Sequence, residues 1–599
     1  MTPWNALCQG EDIVIIYAKA ESAASGKAGE RMAKVISIGK QSFSALREQD
    51  YFFVDKTNLI KEWWEKGDDI TLIARPRRFG KTLNMSMLEC FFSNKYANRA
   101  DLFEGLSIWE EEKYRNLQGT YPVIFLSFAV VKAGNLEDAK IQIKQEIVRL
   151  YRNNRYLLES DCLSPEEKEE YRSLSIDMSD ALTISSLNVL SEYMSRYYGR
   201  KVIILLDEYD TPMQEAYVQG YWEEITSFIR SLFNATFKTN PYLERAVMTG
   251  ITRVSKESIF SDLNNLRVVT TTSDMYAECF GFTETEVFSA LDDFGMSDKK
   301  GEVKQWYDGF TFGEHRDIYN PWSITNYLKE GKLHPYWAST SSNSLAGKLI
   351  RTASADVKEK MEDLLQGKQI TVNFDEQIVY NQLDHNENAI WSLLLASGYL
   401  KVENVDYRGI TREPWYNLSI TNIETLSMFM HMFRGWFTSS DANYNDFVKA
   451  LLRGNLKEMN IYMNDVALAT FSSFDAGRKP SAKHQPERFY HGFVLGLLVE
   501  LRDRYEIRSN RESGYGRYDV MLNPLTENGD AIIIEFKVYE PDEEKTLLDA
   551  VQSALKQIAE KNYDAELLSQ GIPADRIRHY GFAFEGKKVL IGTEPAVCL

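Results

Sequence analysis

The strongest constraint on the fold is a series of short, mostly apolar runs separated by stretches with helical patterning. Five such runs lie between residues 41 and 280: ITLIA, YPVIFLSF, KVIILLDE, LERAVMTGI and LRVVTT. Apolar runs of this length are typical of strands buried on both faces, and intervening helices are typical of a parallel sheet. The sequence therefore predicts an α/β domain over residues 36–280, in a chain of 599 residues that is long enough for two to four domains.

The rest of the chain divides by composition into three further parts. Residues 1–35 contain the small-residue stretch ESAASGKAGER and are interpreted as an N-terminal extension. Residues 281–475 are rich in aromatics and helical patterns, which predicts a helical lid or winged-helix-like middle region with one strand, EPWYNLSIT, and aromatic stripes that serve as core. Residues 476–599 return to mixed order: a helix, the strands RYDVML and AIIIEFKV, a second helix and a final β segment.

Charge and cysteine usage narrow the class of protein. The formal net charge of -18 argues against a protein that coats nucleic acid through bulk charge, so any such binding must use a local basic patch. The five cysteines lie far apart without a C-x-x-C pair, which argues against a zinc site or a disulfide framework and favours a cytoplasmic location. No apolar run approaches the roughly 18 residues that a membrane helix needs, so no membrane partner is expected, and IVIIYA is too short for a signal peptide.

A candidate nucleotide site begins with the loop RPRRFGKT between the first apolar run and the helical stretch TLNMSMLECFF. In such a loop the backbone N–H groups surround phosphates, a lysine (Lys81) supplies a point charge, and the next hydroxyl (Thr82) binds magnesium. The residue before that lysine, Gly80, also fits the pattern. Arg75, however, occupies the position of the first glycine of G-x-x-x-x-G-K-[ST], which lowers the specificity of the motif.

An acidic pair supplies the second half of this site. The buried run that ends at Leu206 is followed by Asp207 and Glu208, an arrangement in which the aspartate orients magnesium and the glutamate polarises the attacking water. The same pair could instead cap a helix. Thr249, at the end of a further strand, and Arg253 are candidates to sense the γ-phosphate, although Arg253 could equally be a solvated loop arginine.

A second constellation lies near the carboxyl end. Asp519 is in one predicted strand, and Glu535 and Lys537 share one face of the next because side chains alternate along a strand. Two carboxylates can hold a divalent cation, and a lysine beside the activated water suits phosphodiester hydrolysis. E-x-K triplets are common, however, and a salt bridge at a sheet edge is the structural alternative.

Seven segments together resemble the bacterial predicted AAA-ATPase-like family: YFFVDKT, RPRRFGKTL, LLDEYDTP, TGITRVSKESIFSDLNNL, FGFTETEV, YDGF and YNPWSI. The resemblance covers roughly residues 36–599 and implies a P-loop NTPase sheet, a lid and a nuclease-like C-terminal domain. It makes Arg75 a family feature and implies that Arg75, Arg77 and Arg78 add positive charge beside the phosphates. The nucleotide-binding residues that it implies are Arg78, Phe79, Gly80, Lys81, Thr82, Asp207 and Arg253, with Thr82 and Asp207 as magnesium ligands. Residues 1 to about 32 lie outside it, and Met32 is an alternative start.

The segments ESGYGRYDV, IIIEFKV and QIAEKNY resemble the RecB-like branch of the PD-(D/E)XK nuclease superfamily. The resemblance implies that Asp519 and Glu535 bind the metal, that Lys537 is catalytic, and that Gln557 and Tyr563 are the helix motif. Glu487 or Glu500 could be a further acidic ligand, and His491 is expected to pack or to form hydrogen bonds. A local excess of Lys and Arg over Asp and Glu between residues 478 and 517, together with Gly514 and Gly516, is compatible with phosphate contact or with a solvated helix face.

The sequence therefore predicts a cytoplasmic P-loop ATPase joined through a lid to a nuclease domain that acts on nucleic acid, with DNA as the expected substrate. The expected cofactors are ATP and Mg²⁺, with Mn²⁺ as an alternative at the nuclease site. Two other interpretations stay open: an ATP-switched signalling or nucleic-acid-binding module whose nuclease fold does not cleave, and a structural protein with both sites silent. The sequence leaves open whether copies assemble into a homo-oligomer.

Overall fold

A computed structural model gives the architecture of most of the chain. It describes residues 34–238, 240–252, 260, 263–338, 346–347, 349–350, 353–365, 367–376, 386, 388–437, 444–470, 494, 497–498, 501, 504–513, 516–526, 529–539, 544–585 and 588–593. Within these ranges, no helix combines the length and the apolar character that a membrane crossing requires.

The N-terminal domain is built on a five-stranded parallel sheet, as predicted. Its strands are β1 (Ile70–Ala74), β2 (Val123–Ser127), β3 (Val202–Asp207), β4 (Leu243–Gly250) and β5 (Leu266–Val269), in the order β2-β3-β4-β1-β5. Strand β4 separates β1 from β3. The carboxyl ends of all five strands lie at one edge of the sheet, so the loop after β1 and the acidic pair at the end of β3 meet across the end of β4.

Both faces of this sheet are covered by helices. These are α1 (Phe43–Glu48), α2 (Asn58–Lys66), α3 (Lys81–Phe92), α4 (Glu112–Arg115), α5 (Leu136–Asn153), α6 (Pro165–Ser173), α7 (Asp180–Tyr198), α8 (Thr211–Gln219) and α9 (Trp222–Phe233). Alternate residues of β3 enter different cores: Ile204 and Leu206 pack on one side, and Ile203 and Leu205 on the other. Burial on both faces explains why this strand is apolar at every position up to Asp207.

The middle region contains more β structure than the sequence predicts. Its helices are α10 (Glu284–Asp293), α11 (Lys300–Tyr307), α12 (Pro321–Glu330), α13 (Ala355–Leu365), α14 (Ala389–Ala396) and α15 (Ile423–Phe437). Between them lie two antiparallel sheets, made of β6 (Phe282–Thr283), β8 (His315–Tyr319) and β7 (Phe310–Phe312), and of β10 (Leu400–Arg408), β11 (Glu413–Ile420) and β9 (Ile370–Val372). Only β11 was expected, because β6, β7 and β9 are very short and β10 is mostly polar.

The C-terminal domain has a five-stranded mixed sheet in sequential order. Its strands are β12 (Tyr505–Ser513), β13 (Gly516–Pro524), β14 (Ala531–Val538), β15 (Ile577–Glu585) and β16 (Lys588–Gly592). Strands β14 and β15 are parallel, and the other neighbours are antiparallel. Helices α18 (Leu547–Lys561) and α19 (Ala565–Ser569) connect β14 to β15, and α18 packs on one face of the sheet.

The opposite face of this sheet is covered by two helices that the sequence assigns to the middle region. Helices α16 (Tyr444–Arg453) and α17 (Leu456–Thr470) contribute Phe447 and Met463 to a core shared with β13, β14 and β15. The side chain of Asn460 on α17 also exchanges hydrogen bonds with the main chain of Ile591 on β16. These helices therefore belong to the C-terminal core, although they precede the predicted boundary at residue 475.

Candidate nucleotide and metal sites

The loop between β1 and α3 has the backbone geometry of a tight turn. Gly80, which precedes the first residue of α3, has φ = 78°, and Arg78 has φ = 66°. The left-handed region is free of cost for glycine but costs energy for arginine. The turn places Lys81 at the start of α3, where helix N–H groups are available for an anion.

The Lys81 side chain is buried against its own loop. Its ammonium group donates to the carbonyl oxygens of Arg75 at 2.9 Å and Pro76 at 2.8 Å. Burial lowers the pKa of Lys81 to about 8, and the negative charges of Glu208, Asp210 and Asp207 oppose that shift. The ammonium therefore lies within the electrostatic field of the acidic residues that follow β3.

A carboxylate and two hydroxyls meet where β3, β4 and α3 come together. The Thr82 hydroxyl donates to Asp207 Oδ2 at 2.8 Å, and the Thr249 hydroxyl donates to Asp207 Oδ1 at 2.5 Å. Asp207 is completely buried. The two residues predicted to hold magnesium, Thr82 and Asp207, are thus in direct contact, and the candidate sensor Thr249 lies beside them.

Glu208, the residue after Asp207, has a left-handed backbone conformation. Its φ is 51°, which is uncommon for a residue with a side chain, and its carboxylate accepts a hydrogen bond from the Thr211 hydroxyl at 3.3 Å. Helix α8 begins at Thr211, and its N-cap residue is Asp210, whose side chain makes no capping hydrogen bond. Neither member of the acidic pair occupies the N-cap position of α8, and the left-handed backbone of Glu208 is a strained conformation of the kind that clusters at functional sites.

The expectation that Arg75 adds positive charge beside the phosphates is wrong. Its guanidinium is fully buried and donates to the carbonyl oxygens of Thr270 at 2.5 Å and Met275 at 3.0 Å. Its Cζ lies 4.4 Å from the centre of the Phe312 ring, and burial lowers its pKa to about 9. The side chain turns inward because it satisfies carbonyl groups beyond the end of β5, so its role is structural.

The other predicted loop residues take separate positions. Arg77 is exposed and donates to Gln214 at 3.4 Å, while the exposed Arg78 has its Cζ 4.3 Å from the centre of the Trp322 ring. Phe79 is buried with its ring centre 4.8 Å from that of Phe310, which leaves its main chain, not its side chain, to meet a nucleotide. Arg253 lies outside the described residues.

Sequence reasoning missed Asp210, which organises the segment that follows β4. Its Oδ2 accepts hydrogen bonds from the N–H groups of Ile251 (3.0 Å) and Thr252 (2.9 Å) and from the Thr252 hydroxyl (2.8 Å). Tyr209 adds a hydrogen bond from its hydroxyl to the Thr252 carbonyl at 2.8 Å. The sequence did contain a hint of this role, because Asp210 is a third acidic residue in LLDEYDTP, two positions beyond the acidic pair.

The second site forms where β13 separates from β14. The paired register ends with Val520 opposite Ile534, and at the next position the Asp519 carboxylate accepts a hydrogen bond from the N–H of Phe536 at 2.8 Å. This bond brings Asp519 next to Glu535. Glu535 itself is 2% exposed, and the Lys537 ammonium lies 3.8 Å from its Oε1. The Glu–Lys pair is therefore within one strand, and the cross-strand neighbour is a second carboxylate.

Helix α18 supplies the remaining side chain. The Gln557 amide donates to Glu535 Oε1 and, at 3.2 Å, to the hydroxyl of Tyr563. Tyr563 lies just beyond the helix, after Asn562, whose φ of 52° ends it. Burial raises the pKa of Tyr563, and the charges of Glu535 and Asp519 add to that shift. Glu487, His491, Glu500 and Gly514 lie outside the described residues, and Gly516 is the first residue of β13.

The donor sets suit hard divalent cations. One site offers the Thr82 hydroxyl and the Asp207 carboxylate, and the other offers the carboxylates of Asp519 and Glu535. Oxygen donors of this kind are preferred by Mg²⁺ and Mn²⁺. A third acidic group, Glu284, Asp308 and Asp317, already has the Lys304 ammonium among its carboxylates.

Comparisons with known proteins match two separate parts of the chain. Residues 37–260 match the family model of predicted AAA-ATPases, and residues 485–594 match the model of the PD-(D/E)XK nuclease superfamily. A curated protein of Azotobacter chroococcum mcd 1, described as an uncharacterized protein in the vnfD 5' region, is 26% identical over 557 residues, which are 90% of this chain and 95% of that protein.

Two solved structures show a distant likeness. A signal transduction ATPase with numerous domains from Pyrococcus horikoshii, which carries a tetratricopeptide repeat sensor, matches at 11% identity with a TM-score of 0.24. The match covers 74% of this chain and 53% of that protein, so the chain spans about half its length. The ORC2 protein of Aeropyrum pernix matches at 9% identity with a TM-score of 0.22, over 66% of this chain and 95% of that protein.

Proposed function

Because the chain carries a domain of the predicted AAA-ATPase family and a domain of the PD-(D/E)XK nuclease superfamily, we propose that it hydrolyses ATP and cleaves DNA in a divalent-metal-dependent reaction. The observation that carries the nuclease half is the meeting of Asp519, Glu535, Lys537 and Gln557 at one point of the C-terminal sheet. The contact between Thr82 and Asp207 carries the ATPase half.

At the nucleotide site, each residue has a separable task. Lys81, whose ammonium contacts loop carbonyls in this structure, turns to the phosphates, and the N–H groups at the start of α3 bind the phosphate oxygens. Thr82 and Asp207 would hold magnesium, which neutralises phosphate charge when bound. Glu208 orients the attacking water, and Thr249, already fixed on Asp207, contacts the γ-phosphate.

At the nuclease site, Asp519 and Glu535 would hold the metal, which lowers the pKa of the attacking water when bound. The hydrogen bond from Gln557 fixes the rotamer of Glu535 so that its carboxylate keeps one orientation. Lys537 holds a proton on Nζ and donates a hydrogen bond to the phosphate oxygen on which negative charge develops. The buried position of Glu535 strengthens these electrostatic interactions.

The experiment that tests the proposal is a DNA cleavage assay with the full chain, Mg²⁺ or Mn²⁺, and plasmid, linear duplex and single-stranded substrates, with and without ATP. Cleavage that is lost in Lys537→Ala while DNA binding is retained supports the nuclease. ATP turnover that is lost in Lys81→Ala supports the ATPase. DNA binding without cleavage by the wild-type chain would contradict the nuclease and favour a nucleic-acid clamp.

A further inference from the structure

Five consecutive residues of the phosphate loop pack against the middle region. Arg75 lies under the Phe312 ring at 4.4 Å, and a Cβ added to Gly398 would lie 2.9 Å from Pro76 Cγ. The next three contacts are Arg77 O with Asn320 Nδ2 at 3.4 Å, Arg78 Cζ with the Trp322 ring at 4.3 Å, and Phe79 with the Phe310 ring at 4.8 Å. A glycine-rich loop has no side chains to make such contacts. The loop of this chain is therefore part of an interface with the middle region.

Asn320 joins this interface to the start of helix α12. It is completely buried, and its Oδ1 accepts hydrogen bonds from the N–H groups of Trp322 at 2.9 Å and Ser323 at 3.3 Å. These are the bonds of a helix N-cap. The other end of the same amide reaches the carbonyl of Arg77. One side chain therefore fixes both the first turn of α12 and the backbone of the phosphate loop.

Trp322, in the first turn of α12, contacts the guanidinium of Arg78, which is solvent-exposed and lies over the indole ring. Arg78 lies two residues before Gly80 and three before Lys81, so its side chain starts close to the phosphate-binding turn. An exposed cation–π contact is weak, whereas a guanidinium–phosphate pair can form two parallel hydrogen bonds. A phosphate bound at the loop can therefore compete with the indole for Arg78.

We infer that Asn320 and Trp322 are positioning residues for the phosphate loop, and that nucleotide binding transfers the Arg78 guanidinium from the Trp322 ring to a phosphate. The inference rests on the proposed nucleotide site. Departure of Arg78 frees the first turn of α12, while Asn320 keeps that helix attached to the loop backbone. The middle region thereby senses whether the loop is occupied.

A double-mutant cycle tests the transfer through the equilibrium binding of ATP and Mg²⁺ to the full chain. Arg78→Ala removes the phosphate contact and should weaken ATP binding about tenfold. Trp322→Leu removes the competitor and should tighten binding about threefold. The double variant should match Arg78→Ala, because Trp322 acts only through Arg78. Trp306→Leu, a change to a half-buried middle-region tryptophan on α11, is the matched control and should leave binding unchanged.

Asn320→Ser separates positioning from folding. Serine is a comparable N-cap without a charge, so the start of α12 should be retained and no carboxylate is buried at this completely buried position. The donor to the Arg77 carbonyl is lost, and ATP binding should weaken about threefold as the loop backbone is released.

Three results would decide against the inference. The first two are additive effects of Arg78→Ala and Trp322→Leu, and unchanged ATP affinity in Asn320→Ser. If Lys81→Ala still abolishes ATP binding, either result would overturn the positioning roles and leave the nucleotide site intact. No ATP binding by the folded wild-type chain would overturn the proposed nucleotide site and the inference together.

Discussion

The hydroxyl of Thr82 lies 2.8 Å from a carboxylate oxygen of Asp207, although the two residues are 125 positions apart in the sequence. Thr82 follows β1, Asp207 ends β3, and the intervening strand β4 ends in Thr249 and Gly250, with Thr249 bound to the same carboxylate. A parallel sheet with this strand order therefore builds the site from three carboxyl ends. The predictions below test this arrangement, the loop beside it and the second site.

Two substitutions at Glu208 separate the effect of its backbone conformation on stability from the effect of its side chain on ATP turnover. Glu208→Gly should remove the left-handed strain and stabilise the fold by about 1 kcal/mol, because glycine adopts this conformation freely. ATP turnover should fall by about 100-fold or more, because the carboxylate proposed to orient the attacking water is lost. Glu208→Gln should lose turnover without the gain in stability. The measurements are the free energy of unfolding and the ATP turnover rate of both variants. Wild-type turnover in Glu208→Gly would contradict the proposed role of the carboxylate.

We expect the side chain of Arg75 to stabilise the folded protein and the side chain of Arg77 to contribute little to its stability. Arg75→Leu removes the guanidinium hydrogen bonds to the partly buried carbonyls of Thr270 and Met275. Among the described residues only the Thr270 carbonyl keeps a further donor, the N–H of Ser273, so the change should cost about 1–3 kcal/mol of stability. Arg77→Leu, at an exposed neighbouring position, should change stability by no more than about 0.5 kcal/mol. Thermal unfolding of the two variants is the measurement, and equal midpoints would refute the inward placement of Arg75.

Gln557 should act through Glu535. Gln557→Ala removes the donor that orients the buried carboxylate and should slow DNA cleavage by about 10- to 100-fold while DNA binding is kept. Gln570→Ala, which removes an amide whose partner is Asn523 away from the carboxylates, is the control and should cleave normally. Equal cleavage rates in the two variants would show that Gln557 has no such role.

The middle region should lose stability as the pH rises from about 4.5 to about 7. Burial raises the pKa of Glu424 to about 7, against the hydrogen bonds from Ser323 and the N–H of Trp337. The folded state then keeps a proton that the unfolded chain releases, so its stability falls with rising pH across this window, by on the order of 3 kcal/mol. Glu424→Gln should flatten this limb of a plot of unfolding midpoint against pH. An unchanged slope would contradict the assignment.

The strands of the first sheet were predictable, and so were the meeting of Thr82 with Asp207 and the approach of Asp519 to the strand that carries Glu535, because each follows from a local pattern. Apolar runs such as VIILL mark strands buried on two faces, and the chemistry-bearing residues stand at their ends. The inward turn of Arg75 was not predictable, since it depends on carbonyl groups about 200 positions away. Phe79 was likewise assigned to the nucleotide, although its partner Phe310 belongs to a strand too short to be recognised.

Helices α16 and α17 show the same limit at domain level. Their apolar faces were visible in the sequence, but the surface that covers those faces is the C-terminal sheet, which follows later in the chain. Amphipathic patterning predicts that one face of a helix is buried, but it does not identify the surface that buries it. Tyr563 was expected on the helix with Gln557 and lies beyond its end because Asn562 takes a left-handed conformation.

The central claim is that the carboxylates of Asp519 and Glu535 hold one divalent cation. Its most direct test is Mn²⁺ binding to the full chain without nucleotide, followed by electron paramagnetic resonance, in the wild type, in Asp519→Asn and in the control Asp575→Asn, which alters an exposed acidic residue of the same domain. The account predicts that Asp519→Asn loses one bound Mn²⁺ and that the control loses none. Identical Mn²⁺ binding by the three proteins would contradict it.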